Sequence, residues 1–137
     1  MRIDIMSRKE FEEYNTEIPF IVISITDPGS EYAETESKPL ARLNLEFFDL
    51  DRPINENKNC FLFDDNMARQ ILDFVECFKD KVKRIIIHCE AGISRSAGVA
   101  GALANIYEGT DQFYFDNYVP NRLVYRKILN AYYDSEE

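Results

Sequence analysis

The chain has 137 residues, 45% of them apolar, with 10 Phe and 8 Tyr. This is the size and composition of one domain that buries its own core without disulfide or metal staples, so residues 1–137 read as a single domain. A formal net charge of −9 repels nucleic-acid backbones and anionic membrane surfaces; neither is expected as a partner, and any phosphate site must be a local positive pocket in a negative field.

The chain opens on Ile3 and Ile5 alternating with polar residues, which predicts a short strand. Ser7, with Glu10 three residues on, forms a capping box for a short helix. Ile18 to Ile25 (IPFIVISI) is apolar and β-branched, the pattern of a strand buried on both faces. Asp27-Pro28-Gly29-Ser30 signals a turn, and the polar residues 31–39 a loop. Leu43 to Phe48 (LNLEFF) reads as the next strand. Residues 49–59, with Pro53, form a second long loop of the kind that often carries function.

Asp64 or Asp65 caps the next helix, in which Met67, Ile71, Phe74, Val75 and Phe78 recur at helical spacing. Cys77 reads as a small hydrophobe on that apolar face. Lys83 to His88 (KRIIIH) is a further buried strand. Ser96 to Ile106, rich in Ala, Gly and Val, predicts a helix packed on most sides, with Gly109 as its stop. Pro120 precedes a last helix, residues 121–133, with Leu123, Ile128 and Tyr132 inward. Asn121 is its cap. Strands alternating with helices predict an α/β, three-layer fold: a mostly parallel central sheet of four to five strands with helices on both faces.

Three cysteines, Cys60, Cys77 and Cys89, are too few and too odd for a secreted disulfide framework. No basic start followed by an apolar run marks a signal peptide, and no window approaches the roughly 18 apolar residues of a membrane span. A cytoplasmic location is expected. Cys60 and Cys77 read as structural, with a reversible disulfide to Cys89 as a subsidiary expectation.

The segment His88-Cys89-Glu90-Ala91-Gly92-Ile93-Ser94-Arg95-Ser96 carries the chemistry. It joins the end of a buried strand to the start of a helix, where open α/β sheets bind ligands. The helix start offers unpaired N–H groups and partial positive charge, and a tight run of loop N–H groups makes an anion nest. Cys89 opens this loop, so its sulfur faces the anion held there, in surroundings that favour the nucleophilic thiolate. Gly92 permits a turn that a Cβ would obstruct. Arg95 supplies a planar fork for two phosphate oxygens, and Ser96 a hydroxyl for the sulfur. His88 orders the loop through hydrogen bonds.

This pattern resembles the protein tyrosine phosphatase superfamily, Cys-x5-Arg-Ser/Thr preceded by His, and its compact dual-specificity-like or small bacterial branch in particular. The low-molecular-weight branch carries its loop near the N-terminus, unlike this chain. The resemblance implies a phosphate-binding P-loop formed by Glu90, Ala91, Gly92, Ile93, Ser94 and Arg95. It also implies a phosphocysteine intermediate and an upstream aspartate as general acid. Asp49 and Asp51 in FFDLDRP, and Asp64 and Asp65, are the candidates. The last two suit helix caps, and Phe47-Phe48-Asp49-Leu50 resembles the Phe-x-Asp-Ile/Leu element of small bacterial members. Asp49, 40 positions before Cys89, is chosen over Asp51. This spacing is somewhat longer than is usual for the compact branch.

The reaction implied needs no cofactor or metal. Phe47, Phe48 and Tyr118 read as core aromatics and none is assigned to substrate. Pro120-Asn121-Arg122 resembles a late element of the bacterial members, with Arg122 a solvated surface residue. The loop's variable positions, Glu90, Ala91 and Ile93, lack the lysines typical of inositol-lipid phosphatases. The expected partner is therefore a phosphotyrosine-containing protein or another phosphomonoester, with a phosphate or sulfate anion fitting the loop. Two alternatives stand beside it: a phosphatase of RNA 5′ ends, phospholipids or small phosphates on the same loop, and a catalytically inactive phosphate-binding module.

Overall fold

The computed structural model describes residues 1–51 and 61–134. Four strands, β1 (Arg2–Met6), β2 (Ile21–Thr26), β3 (Ala41–Glu46) and β4 (Arg84–His88), form one sheet in the order β1-β4-β2-β3. All three pairings are parallel. The order follows from composition. The two near-continuous apolar runs, IVISIT and RIIIH, take the centre, where both faces are covered. RIDIM and ARLNLE alternate apolar with polar residues and take the edges. Five helices complete the described chain: α1 (Arg8–Glu12), α2 (Asp65–Phe78), α3 (Arg95–Glu108), α4 (Gln112–Asn117) and α5 (Arg122–Asp134).

The period of two along the strands sorts side chains between two cores. Ile21, Ile23, Ile25, Ile85 and Ile87 point to the larger one, with Ile71, Val75, Val99, Leu103, Val124 and Ile128 of α2, α3 and α5. Val22 and Ile86 point the other way, to Phe11 of α1, Phe20 and Ala33. The expected three-layer fold is thus observed, with four strands. Because β2, β3 and β4 run parallel, their carboxyl ends share one edge of the sheet. Asp27, Asp49 and Cys89 follow those ends.

The caps hold as the residue types predict. Ser7 and Glu10 form the reciprocal capping box of α1. Asp64 accepts from Met67 N–H at 2.8 Å to start α2. Gly109 ends α3 at φ +78°, and Asn121 Oδ1 accepts from Val124 N–H at 3.1 Å at the start of α5. Some expectations shift. β3 begins at Ala41 and ends at Glu46, so Phe47 and Phe48 lie beyond it. β2 begins at Ile21, three residues after the apolar run does. Helix α4 is an addition to the elements that the sequence pattern predicts. Cys77 is exposed, not a packed hydrophobe: α2 buries Ala68, Ile71, Leu72 and Val75, and two residues past Val75 the helix has turned by about 200°. Cys60 and most of the second long loop lie outside the described residues. No helix among the described residues is long and apolar enough to cross a membrane.

Candidate active site

Residues 89–94 turn between β4 and α3 at the carboxyl edge of the sheet. The turn is tight because of Gly92, at φ +72°. A Cβ there would lie 2.7 Å from Ser7 N and 2.8 Å from the Met6 carbonyl carbon, so only glycine lets the β1–α1 junction close against the loop. The same junction clamps the loop from outside. Arg8 N–H donates to the Glu90 carbonyl at 3.1 Å, and Arg8 Nη1 to Glu90 Oε1 at 3.2 Å. The Glu90 carboxylate is thereby held by a cation at the junction.

Cys89 is buried, with 2% of its surface exposed. Its sulfur accepts from Gly92 N–H at 3.2 Å and lies 3.1 Å from Ser96 Oγ. Among the described residues the N–H groups of Glu90, Ala91, Ile93 and Ser94 donate to no protein acceptor. Ser94 stands at the N-cap of α3 without capping it through its side chain; its hydroxyl donates instead to Asp49 Oδ1 at 2.8 Å. A run of unused N–H donors and an uncapped helix start thus surround one cysteine sulfur. Such a concentration of donors attracts anions.

Arg95 is buried, at 5% exposure. Both of its protein hydrogen bonds use Nη1, to Asp27 Oδ1 at 2.7 Å and to the Phe47 carbonyl at 2.8 Å. Among the described residues Nε and Nη2 have no protein acceptor, so one edge of the fork is anchored and another is left for a ligand. In the sequence Asp27 signals only a turn. Its place one residue beyond a buried strand, at the edge where Cys89 also lies, was the available signal.

Asp49 is brought to the same loop. Its Oδ1 accepts from Ser94 and, at 2.9 Å, from Asn121 Nδ2. Asn121 also donates to the Leu50 carbonyl at 3.1 Å, and its N–H bonds the Ser94 carbonyl at 2.9 Å. The helix cap foreseen for Asn121 is therefore half of its role; it also ties the Asp49 loop to the Cys89 loop. Asp49, Leu50, Asp51, Ser94, Val119, Pro120, Asn121 and Arg122 line a cavity of about 390 Å³ beside the loop. Asp64 and Asp65 are elsewhere, capping α2 and pairing with Lys127. Phe47 is fully buried against Phe63, and Tyr118 stacks on Tyr114. No group of three or more metal-ligating side chains occurs among the described residues.

His88 sits behind the loop on the opposite face of the sheet from Cys89. It is fully buried, stacked on Phe11 at 4.6 Å. Its Nε2 lies 2.6 Å from Ser24 Oγ, and Arg42 Nη2 donates to that oxygen at 3.2 Å and to the Ala33 carbonyl. With Arg42 filling one lone pair, the Ser24 hydroxyl is free to donate to Nε2, which leaves Nδ1–H facing the Cys89 carbonyl 3.5 Å away. Burial, reinforced by the charges of Arg42, Arg8 and Arg95, lowers the His88 pKa from 6.5 to about 4. The ring is neutral at pH 7 and supports the loop as a hydrogen-bonding plate.

This has a stability consequence. Between pH 6.5 and about 4 the unfolded chain binds a proton on His88 that the folded chain refuses. Stability is therefore complete above 6.5 and falls as the pH drops to about 4, by roughly 3 kcal/mol in all. In His88→Gln, urea unfolding at pH 7 and pH 4 is expected to show an acid loss smaller than wild type by about that amount. Equal losses would contradict the assignment.

No family model matches the sequence, and no curated protein matches it significantly. Solved structures do. Human DUSP28 superposes with a TM-score of 0.66 at 12% identity, covering 98% of this chain and 93% of that one. A human tyrosine phosphatase-like serine/threonine/tyrosine-interacting protein gives 0.59 at 17% identity, covering 88% and 80%. OH1 from the Orf virus, a tyrosine phosphatase, gives 0.58 at 12% identity, covering 94% and 81%. The chain thus has the α/β fold of these phosphatase and phosphatase-like structures.

Proposed function

We propose that the chain is a cysteine-dependent phosphomonoesterase, a protein-tyrosine or dual-specificity phosphatase that works through a phosphocysteine intermediate. The fold alone does not choose between turnover and binding, since both phosphatase and phosphatase-like proteins share it. The observation that carries the choice is the Cys89 sulfur, 3.2 Å from Gly92 N–H and 3.1 Å from Ser96 Oγ in a loop of unused donors. A module that only holds phosphate has no need of a thiol there.

In the mechanism proposed, the phosphate sits on the N–H groups of residues 90–95 and the open edge of Arg95. Donors fixed before the reaction stabilise the charge of the transferring group without reorganisation. The Cys89 thiolate attacks phosphorus; an S–P bond forms as the P–O bond to the leaving group breaks. Asp49 gives its proton to the departing oxygen. Its Oδ1 is engaged by Ser94 and Asn121, which leaves Oδ2 to carry that proton. Water then attacks phosphorus, Asp49 takes a proton from it, and the S–P bond breaks to release phosphate. The Ser96 hydroxyl donates to the departing sulfur. Asp49 serves as acid and then as base in the two halves, as microscopic reversibility requires.

A substrate panel tests this reading. Phosphotyrosine peptide, phosphoserine peptide, phosphoinositide and 5′-triphosphate RNA are compared for phosphate release. The expected order places phosphotyrosine peptide first, because the loop carries no lysine for further phosphates and the chain is acidic overall. Release from the lipid or the RNA at a higher kcat/KM would move the function to that substrate. Release from none would make the chain a binding module.

A further inference from the structure

The described residues contain eight arginines, and six of them have a carboxylate partner: Arg2, Arg8, Arg42, Arg69, Arg84 and Arg95. Arg122 and Arg126 have none among the described residues. In a chain of net charge −9, carboxylates are abundant, so two unpaired arginines side by side are unusual. They are one helical turn apart on α5, and Arg126 Nε donates to the Arg122 carbonyl at 3.3 Å, so both lie on the same face.

That face is concave. Asp51, Phe115, Arg122, Tyr125 and Arg126 line a cavity of about 440 Å³. It adjoins the cavity beside the Cys89 loop, with which it shares Asp51 and Arg122. Phe115 and Tyr125 meet edge to face at 5.1 Å and form a fixed aromatic wall. Tyr125 is itself held by its hydroxyl on Asp111. Asp51 opposes an anion, but two guanidinium groups outnumber it. Neither arginine is within ion-pair distance of it, since no such pair occurs. Arg122 directly follows Asn121, the residue bonded to Asp49, so the basic hollow begins one residue from the side chain that holds the candidate general acid.

We infer that this hollow is a second anion subsite, which reads a carboxylate or phosphate on a residue neighbouring the phosphorylated residue of a peptide substrate. The inference rests on the phosphopeptide reading of the main site. An extended peptide advances about 3.3–3.6 Å per residue, so a flanking side chain reaches the adjoining cavity when the phosphoryl group occupies the loop. Guanidinium forks suit both anions, and exposure keeps the interaction modest and salt-sensitive.

The test measures binding on the full-length Cys89→Ser protein, so that no peptide is consumed. Fluorescent phosphotyrosine peptides carry alanine, glutamate or phosphoserine in turn at each of the three positions on either side. At one position or more, glutamate and phosphoserine are expected to tighten binding about fivefold over alanine at low salt. The gain should fall to about one when Arg122→Ala and Arg126→Ala are added, since both side chains are exposed and alanine suits a helix. Glutamate and phosphoserine arms separate carboxylate from phosphate as the anion read. Equal affinity for all peptides, no binding of any, or a gain that survives the double substitution would overturn the subsite. Failure of wild-type protein to release phosphate from p-nitrophenyl phosphate would instead count against the phosphatase reading. The affinity ratios stand or fall separately from that result.

Discussion

Replacing Cys89 by serine is expected to reduce phosphate release from p-nitrophenyl phosphate to the uncatalysed background. Sulfur-to-oxygen exchange is small in volume, and the site has a donor on each side of the atom, Gly92 N–H and Ser96 Oγ, to hold the new hydroxyl. The cradle should therefore persist and still bind a phosphopeptide. What is lost is the nucleophile. A serine hydroxyl near neutral pH needs a base to activate it, and the only histidine in the chain is His88. Its ring lies on the far side of the sheet, engaged by Ser24 and neutral because burial lowers its pKa to about 4. No histidine takes the place of the thiolate, and in the proposed mechanism Asp49 serves the leaving oxygen in that step. Unchanged thermal stability with lost turnover supports the assignment; turnover within a few-fold of wild type would remove Cys89 from the reaction.

The second large effect is expected at Asp49. Loss of a positioned acid costs about 10²- to 10⁴-fold in kcat. Asp49→Asn is the sharper probe, because its carbonyl oxygen can still accept from Ser94 and Asn121 as Oδ1 does now. The loop geometry is retained and only the proton is missing. The fall should be large with a phosphotyrosine peptide and smaller with p-nitrophenyl phosphate, whose leaving oxygen needs less protonation. KM should change little. An unchanged kcat in both Asp49→Asn and Asp49→Ala would transfer the role to Asp51, which lines the same cavity.

The sheet was legible because its central strands are short apolar, β-branched runs, which physical chemistry allows almost nowhere but between two layers. The Cys89 loop was legible because a nucleophile, a turn glycine, a fork and a hydroxyl fall within eight consecutive residues. Its anchors were not. Asp27 announces a turn in its own Asp-Pro-Gly context, and its bond to Arg95 spans 68 positions. Local pattern holds no record of such a partner. Asn121 announced a cap, which it makes, but its bonds to Asp49 and Leu50 depend on how α5 docks. The charged pair under the loop, Arg8 with Glu90, likewise arises only when β1 pairs beside β4.

Misplacements have equally specific causes. Helix α4 has six residues, three of them aromatic, too short for a helical period to register. Phe47 and Phe48 continue the apolar run of β3 beyond its last paired residue, Glu46, where only the Phe47 N–H still reaches β2, at the Thr26 carbonyl, 3.2 Å away. Phe47 turns inward as its carbonyl takes Arg95, and Phe48 N–H bonds the Phe61 carbonyl at 2.8 Å. Cys77 lies between two aromatic residues in sequence yet on the outer side of α2, a matter of helical phase that proximity in sequence conceals.

Rapid acid quench of the wild-type protein during turnover of p-nitrophenyl phosphate, followed by peptide mass spectrometry, interrogates the bond on which the mechanism turns. The prediction is one phosphoryl group on the peptide that contains Cys89, more abundant in Asp49→Asn if loss of the base slows hydrolysis of the intermediate more than its formation. A phosphoryl group on another residue, or steady turnover with Cys89 blocked by alkylation, would contradict it.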